Sequence, residues 1–584
     1  MQKLYFLLLL WGVMVSSAFS QQLDQIGKDK NPLKLNGGIS TSHVFYTASG
    51  IEQRRAPYNY FITGNLNADL YGFSVPLSFS ISNQNTSFQQ PFNQFSLSPS
   101  YKWVKSYIGW SSMSFSNYTL AGHLFNGVGV DLTPEGIVQV SAMYGRLQKA
   151  VAIERDTAFL NANLITNQPA FKRMGAGVKT TLKYKKDQVD LILFRAWEDP
   201  NSIGFVPDSL QLRPQDNLVL SINAQKSLFD VLKLSAEFAS SAITRDRRAL
   251  EPSGISNLYG NLGGFFRTNA STAVYHAFKS SLSYQHSKFT LGANYERIEP
   301  EYRTLGAYFF NNDLENITGS FATRFLKQKI QFSSNMGVQR NDLRNEKISK
   351  MNRVVGSANV SAAISSKVNV ATSYSNFQTF TNIRSNFVTL NQGSAFDNLD
   401  TLNYRQISQN ATLNGSYQIA SSSKQSQMLS ANIVYQTSSD NQDSLSNKAQ
   451  FYNFNVAYSY NYNPSQLGIT FSFNANKNEV EGGNSSTFGP TIGVSKPAFK
   501  KQLKNSVSVS LNNAYQESLL GNSILNFRYS TSYTLKKKHN FNLSLVALKR
   551  TQPLSANAPR SFNEFTATFG YSYNFSILGN KEKK

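Results

Sequence analysis

Few residues are placed to do covalent or metal chemistry. The five histidines, His43, His123, His276, His286 and His539, are scattered with no HxH or HxxxH spacing, so no metal site is expected. Cysteine is absent, which removes thiolate ligands, disulfides and a lipidated N-terminal cysteine. Gly263-Gly264 and Gly482-Gly483 do not precede a helical pattern, so neither pair reads as a phosphate-cradling loop. Serines and aspartates are plentiful, so a Ser-His or Asp-His pair of the kind outer-membrane hydrolases use on strand ends stays open as chance proximity, though no motif points to one. No catalytic residue, metal or cofactor is expected, and the chain does not read as an enzyme.

The elements that would carry any site have a period of two. Leu525, Phe527, Tyr529, Tyr533 and Leu535 alternate with Asn526, Arg528, Ser530, Ser532 and Thr534, and Phe471 and Phe473 alternate with Thr470, Ser472 and Asn474. Segments of this kind, ten to fifteen residues long and punctuated by turns, run from Leu33 to Phe575. Tight connections such as Lys185 to Gln188, Leu326 to Lys329 and Lys536 to His539 take turns with long ones: Glu198 to Asp216, Arg245 to Ala270, Glu299 to Asp313, Phe380 to Arg405 and Ser438 to Lys448. Alternating segments with short turns at one end and long loops at the other predict an all-β fold, a single antiparallel up-and-down transmembrane β-barrel with periplasmic turns and extracellular loops. Counting segments predicts about 26 strands, and closure at that count implies a diameter of roughly 50 Å.

Two further features fit a secreted membrane protein. Lys3, the apolar run Leu4 to Val15 and the small residues ending Ala18-Phe19-Ser20 read as a signal peptide over 1–20, cleaved between Ser20 and Gln21. A short periplasmic segment, 21–32, then leads into a barrel over 33–576 and a basic tail, 577–584. The net charge is +23, and its lysines gather at the tight turns, among them Lys185, Lys186, Lys288, Lys327, Lys329, Lys500, Lys501 and Lys536 to Lys538. Anionic lipid headgroups are the expected partner of this belt, at about 1 kcal/mol per lysine. Nucleic acid is not.

The end of the chain carries a resemblance. Thr568, Gly570, Tyr573 and Phe575 fill the polar, glycine and aromatic places of a pattern similar to the β-signal of bacterial outer-membrane proteins, which implies the barrel-assembly machinery as a partner. Asp156-Thr157-Ala158, Asp208-Ser209-Leu210, Asp400-Thr401-Leu402 and Asp443-Ser444-Leu445 resemble an Asp-Ser/Thr-apolar O-glycosylation sequon, making Thr157, Ser209, Thr401 and Ser444 candidate acceptors. A ring this wide must be filled by something, and only 21–32 precedes the strands, too little for a plug domain. Barrels of this size without a plug resemble the large macromolecule-conducting barrels, such as the lipopolysaccharide-insertion barrel and the type IX secretion translocon. The likeness is architectural, since the former has an added periplasmic domain and cysteines and the latter is far longer.

Inward loops or a periplasmic or plug partner are the remaining stoppers. The candidate gating loop is Arg245 to Ala270, where Gly260, Gly263 and Gly264 stand beside Phe265 and Phe266. The glycine-rich stretch Gly122 to Leu147, with Gly127-Val128-Gly129-Val130 and Met143-Tyr144-Gly145-Arg146, has no assigned role at this level. The expected function is an outer-membrane transport or translocation conduit for a large solute or polypeptide. The alternative is a non-conducting surface scaffold or an accessory subunit of a secretion complex.

Overall fold

The computed structural model describes residues 33–83, 93–153, 168–250, 259, 265–308, 310–346, 352–377, 379–382, 404–407, 409–442, 445–480, 483–552 and 561–578. Residues 1–32, with Ser20 and Gln21, lie outside this set, as do Thr157, Thr401, Ser444, Gly260, Gly263 and Gly264.

One antiparallel sheet holds almost every strand, each hydrogen-bonded to its neighbours in the chain. Gln94–Leu97 and Ser100–Tyr101 are two pieces of one crossing, because both lie between Phe73–Ser82 and Val104–Ser114. The break falls at Ser98-Pro99, where proline has no N–H to give the ladder. The sheet is thus a closed barrel of 26 strands, the count and architecture expected from the sequence. Its seam joins Leu33–Ser49 to Phe562–Leu578, in register from Lys34↔Leu578 to Ser49↔Asn563.

The pleat assigns each residue a face. Leu191, Ile222 and Phe238 form one cross-strand row, and Ile492, Val509 and Phe527 another; all six are exposed hydrophobics. The opposite face carries polar ladders: Asn476 Nδ2 donates to Asn453 Oδ1 at 2.6 Å, Asn455 Nδ2 to Asn474 Oδ1 at 2.6 Å, and Ser40 Oγ meets Thr63 Oγ1 at 2.8 Å. An apolar face cannot point outward into water all round a ring, so the outer wall faces lipid and the polar wall faces the lumen. The last strand obeys the same rule: Phe565 and Phe569 are exposed on the outer wall, and Thr568 and Gly570 sit on the luminal one.

The two rims differ. Connections at the end where Leu33 and Leu578 lie are short, such as Tyr71-Gly72, Lys185-Lys186, 326–329 and 536–538, and several of their non-glycine residues adopt positive φ, for example Lys185 at 55° and Lys536 at 51°. Most connections at the other end are long. Three there are not: 443–444, 481–482 and 517–518. The expected loop Ser438 to Lys448 is instead mostly strand, because Gln425–Gln442 and Leu445–Tyr462 stay paired to Gln442↔Leu445. At 18 residues each, these strands run about 60 Å and stand clear of any bilayer. Within the expected loop Phe380 to Arg405, Thr379–Asn382 pairs with Tyr404–Ile407 as a separate two-stranded ribbon.

Gly489 and Pro490 mark where the ladder is tightest. The pairing between Gly483–Ala498 and Leu503–Gln516 skips both residues, and a Cβ on Gly489 would lie 1.7 Å from the Leu511 carbonyl oxygen. Gly415 has open space at its Cβ. Gly489→Val is therefore expected to abolish the heat-dependent gel shift of the assembled barrel, while Gly415→Val leaves the shift intact.

Candidate functional site

Where the long-loop rim meets the lumen, the inner wall stops being polar. Phe125, Met143, Leu147, Ile192, Phe194 and Ala196 cluster there, although each lies on the luminal face of its strand. Luminal glycines make the room. A Cβ on Gly129 would meet Met113 Sδ at 2.7 Å, and one on Gly145 would meet the Phe125 ring at 2.9 Å. A Cβ on Gly127 would strike the Tyr144 carbonyl oxygen at 2.1 Å. Within the glycine-rich stretch Gly122 to Leu147, Gly127, Gly129 and Gly145 thus form the floor on which these large side chains pack.

Two connections cover this apolar wall. The first, 115–120, folds on itself: Phe115 N–H donates to Leu120 O at 2.8 Å, and Ser116 Oγ meets Thr119 Oγ1 at 2.9 Å. Phe115, Tyr118, Thr119 and Leu120 are buried. The second, 299–313, begins with Tyr302 N–H on Glu299 O at 3.1 Å and closes with Asp313 N–H on the same oxygen at 3.3 Å.

Their contact fixes the direction of the fold. Six strands separate Ala121–Leu132 from Phe289–Ile298 in the ring. Yet Tyr302 Oη donates to Tyr118 O at 2.8 Å, Thr304 Oγ1 to Thr119 O at 2.7 Å, and Ala121 N–H to Gly306 O at 3.0 Å. The reach is made on the luminal side of the ring, as a strap across the intervening strands. On the way the loop is tied to the inner wall, with Leu305 N–H on Asn217 Oδ1 at 3.1 Å and Ser241 Oγ donating to Arg303 O at 2.8 Å.

Packing completes the joint. Leu305 enters the cluster with Phe125 and Phe194, while Tyr302 and Tyr118 join Val219, Ile243, Tyr275 and Ile298, with their rings edge-on at 6.2 Å. Burial pushes the hydroxyls of Tyr118 and Tyr302 well above the usual phenol range, and Glu296 adds to the effect at Tyr118. Both remain O–H donors.

Polar groups edge the joint. Tyr118 Oη donates to Glu296 Oε1 at 2.6 Å, and Asn316 Nδ2 to Glu296 Oε2 at 3.1 Å. These side chains, with Phe310 and Gln339, line a cavity of about 330 Å³. The His123 ring stacks on Tyr308 at 4.0 Å, and Arg245 Nη2 donates to Tyr275 Oη at 3.0 Å. Among the described residues no group of three or more His, Asp or Glu is placed to hold a metal ion. The arrangement can obstruct and select.

The candidate gating loop of the sequence goes elsewhere. Of its named residues, Phe265 and Phe266 are described, and Phe266 packs with Tyr259 on Leu218 and Ala242. Those two share the face of Ile222 and Phe238, so Tyr259 and Phe266 pack on the outer wall rather than in the lumen. The reason is local: Leu218 and Ala242 offer an apolar seat outside, and Tyr259 Oη bonds Ser240 Oγ at 2.7 Å beside it. Ser209 is exposed on the short 3-10 turn Asp208–Leu210.

The inward loop had its own signal, since Tyr302, Leu305, Tyr308, Phe309 and Phe310 crowd into one connection. Solvated loops rarely need that much apolar surface.

No family model matches the chain, and no curated protein does. Among solved structures it is similar in outline to three large barrels. The copper transporter OprC aligns at TM-score 0.40 and 8% identity, over 93% of this chain and 80% of that one. The ferric enterobactin receptor PfeA aligns at TM-score 0.42 and 10% identity, over 93% and 81%. The translocation pore of the P pilus usher PapC aligns at TM-score 0.28 and 9% identity, over 94% and 100%. Geometry decides the location. A closed antiparallel barrel with an apolar outer wall and a polar lumen is the architecture of outer-membrane proteins, and the chain resides in the outer membrane.

Removing the Tyr302 ring takes the largest buried side chain out of the joint. Tyr302→Ala is expected to weaken it by about 3–5 kcal/mol, and Tyr302→Phe by about 1 kcal/mol. Trypsin should cut after Arg303 in the alanine variant faster than in the wild type, while both keep the gel shift of an intact barrel.

Proposed function

We propose that this protein is a transport conduit of the outer membrane, with its lumen constricted at the long-loop rim by 115–120 and 299–313. The observation that carries this reading is the inward strap: 299–313 leaves one sector of the wall and is held on the luminal side by hydrogen bonds and apolar packing to another. A scaffold that only displays loops gains nothing from burying one of them inside itself. A conduit gains a sieve.

The cavity edged by Glu296, Asn316 and Gln339 and the exposed Arg303 give the constriction polar groups of both signs and neutral ones. Solutes that exchange hydrogen bonds with such groups are the cargo class this lining suits. Export through 1–20 and insertion through Thr568, Gly570, Tyr573 and Phe575 complete the proposed route to the membrane. The lysines of the turn rim then rest against inner-leaflet headgroups, where a periplasmic partner would also dock.

Planar-bilayer recording tests the reading. Wild-type protein is expected to conduct weakly, and a variant with 303–308 replaced by two glycines to conduct several times more. Equal conductance of the two proteins would contradict an internal constriction, and no conductance in either would favour the scaffold.

A further inference from the structure

The outward part of the Arg245 to Ala270 loop carries a second site. Tyr259 and Phe266 pack on the lipid-facing wall at the long-loop rim, and beside them Arg195, Asp216, Thr244, Arg247, Arg267 and Asn269 line a cleft of about 350 Å³. We propose that this cleft binds the phosphate group of a phosphorylated lipid headgroup in the outer leaflet.

Position comes first. Arg195 follows Leu191 and Leu193 on the outer face of Asp187–Glu198, and Leu191 is 47% exposed there. Four residues of strand place Arg195 about 13 Å beyond Leu191 toward the rim. Trp197, next on the same face, lies 6.4 Å from the exposed Tyr144. Outward aromatics at a strand end mark the border of hydrocarbon and headgroups, so the cleft opens at headgroup height with an apolar wall below it.

Charge comes second. Asp216 is buried and is gripped by Arg195, Nε to Oδ1 at 3.1 Å and Nη2 to Oδ2 at 2.7 Å. Arg247 Nε stands 3.5 Å from the same carboxylate, and its Nη1 donates to the Glu198 carbonyl. Three guanidinium groups therefore line a cleft that holds one carboxylate. Arg267 is exposed and has no ion-pair partner among the described residues. Guanidinium forks suit phosphate oxygens, which would complete the unmatched charge.

Rigidity comes third. The Arg195 guanidinium lies over the rings of Trp197 at 5.0 Å and Phe265 at 5.6 Å. The loop behind is stapled by Arg213 to Asp246 at 3.1 Å and by Asn269 Nδ2 to Asp246 O at 2.8 Å. A positioned cluster loses little ordering entropy when an anion arrives. Below it, Leu193, Leu220 and Val274 flank the Leu218 and Ala242 seat and offer acyl chains a continuous apolar surface.

The test uses detergent-purified full-length protein and native mass spectrometry with three probes: bisphosphorylated lipid A, the same lipid with both phosphates removed, and inorganic phosphate. The wild type is expected to retain the phosphorylated lipid, and Arg267→Glu and Arg247→Ala to bind it about tenfold more weakly or worse. Lys327→Ala at the opposite rim should bind as the wild type does. Displacement by inorganic phosphate at comparable concentration would support the phosphate site but assign it to a soluble anion. Equal retention of the dephosphorylated lipid, or unchanged binding by Arg267→Glu, would overturn the proposal. Arg267 is exposed, so its variant should keep the gel shift, and its conductance should match the wild type even if lipid binding is lost. Failure here is thus separable from failure of the conduit reading.

Discussion

In hydrocarbon no water is available to satisfy a bare amide, and every other feature of this protein follows from that. A sheet can meet the condition only by leaving no edge, so Leu33–Ser49 must find Phe562–Leu578 across more than five hundred residues of chain. Proline is tolerated only where the ladder is interrupted, as at Pro99, between the two pieces of one crossing, and at Pro490, which keeps one neighbour and lacks the other. The tight turns must fit inside this closed register, and several do so with lysine or phenylalanine at positive φ rather than with glycine.

Closure divides the wall into a lipid face and a luminal face, and the long loops respond to whichever face is apolar near their roots. Val219, Ile243 and Tyr275 draw Tyr302 inward; Leu218 and Ala242 draw Tyr259 and Phe266 outward. The same strands, Asp216–Leu228 and Leu232–Thr244, supply both seats. Their rim ends are buried on both sides, so Asp216 to Val219 and Ala239 to Thr244 form unbroken buried runs. A sheet covered on both faces has no reason to alternate.

That break in alternation separates what is legible in the sequence from what is not. Period-two patterning reveals the barrel, its strand number and its lipid-facing row at Phe565 and Phe569, because each depends only on neighbours along one strand. Loop direction depends on contacts between distant strands. Gly263, Gly264, Phe265 and Phe266 suggest a compact loop, but whether it folds in or out is decided by Leu218 and Ala242, up to some 50 residues earlier. The run Asn217-Leu218-Val219-Leu220 is visible as a lapse in alternation and could have pointed to a doubly covered wall. Gly127, Gly129 and Gly145 stand out by composition alone, and their purpose emerges only beside Phe125 and Met113, whose side chains pack against Gly145 and Gly129.

The native chain lacks cysteine, so a pair introduced across the seam reports on closure without background. Ser40 and Ser572 are register partners. In detergent-extracted protein carrying Ser40→Cys and Ser572→Cys, oxidation is expected to form an intramolecular bond that keeps both ends together after proteolytic nicking of a long loop. Ends that separate, or cysteines that bond only between molecules, would mean that the first and last strands do not meet, and the closed ring would have to be abandoned.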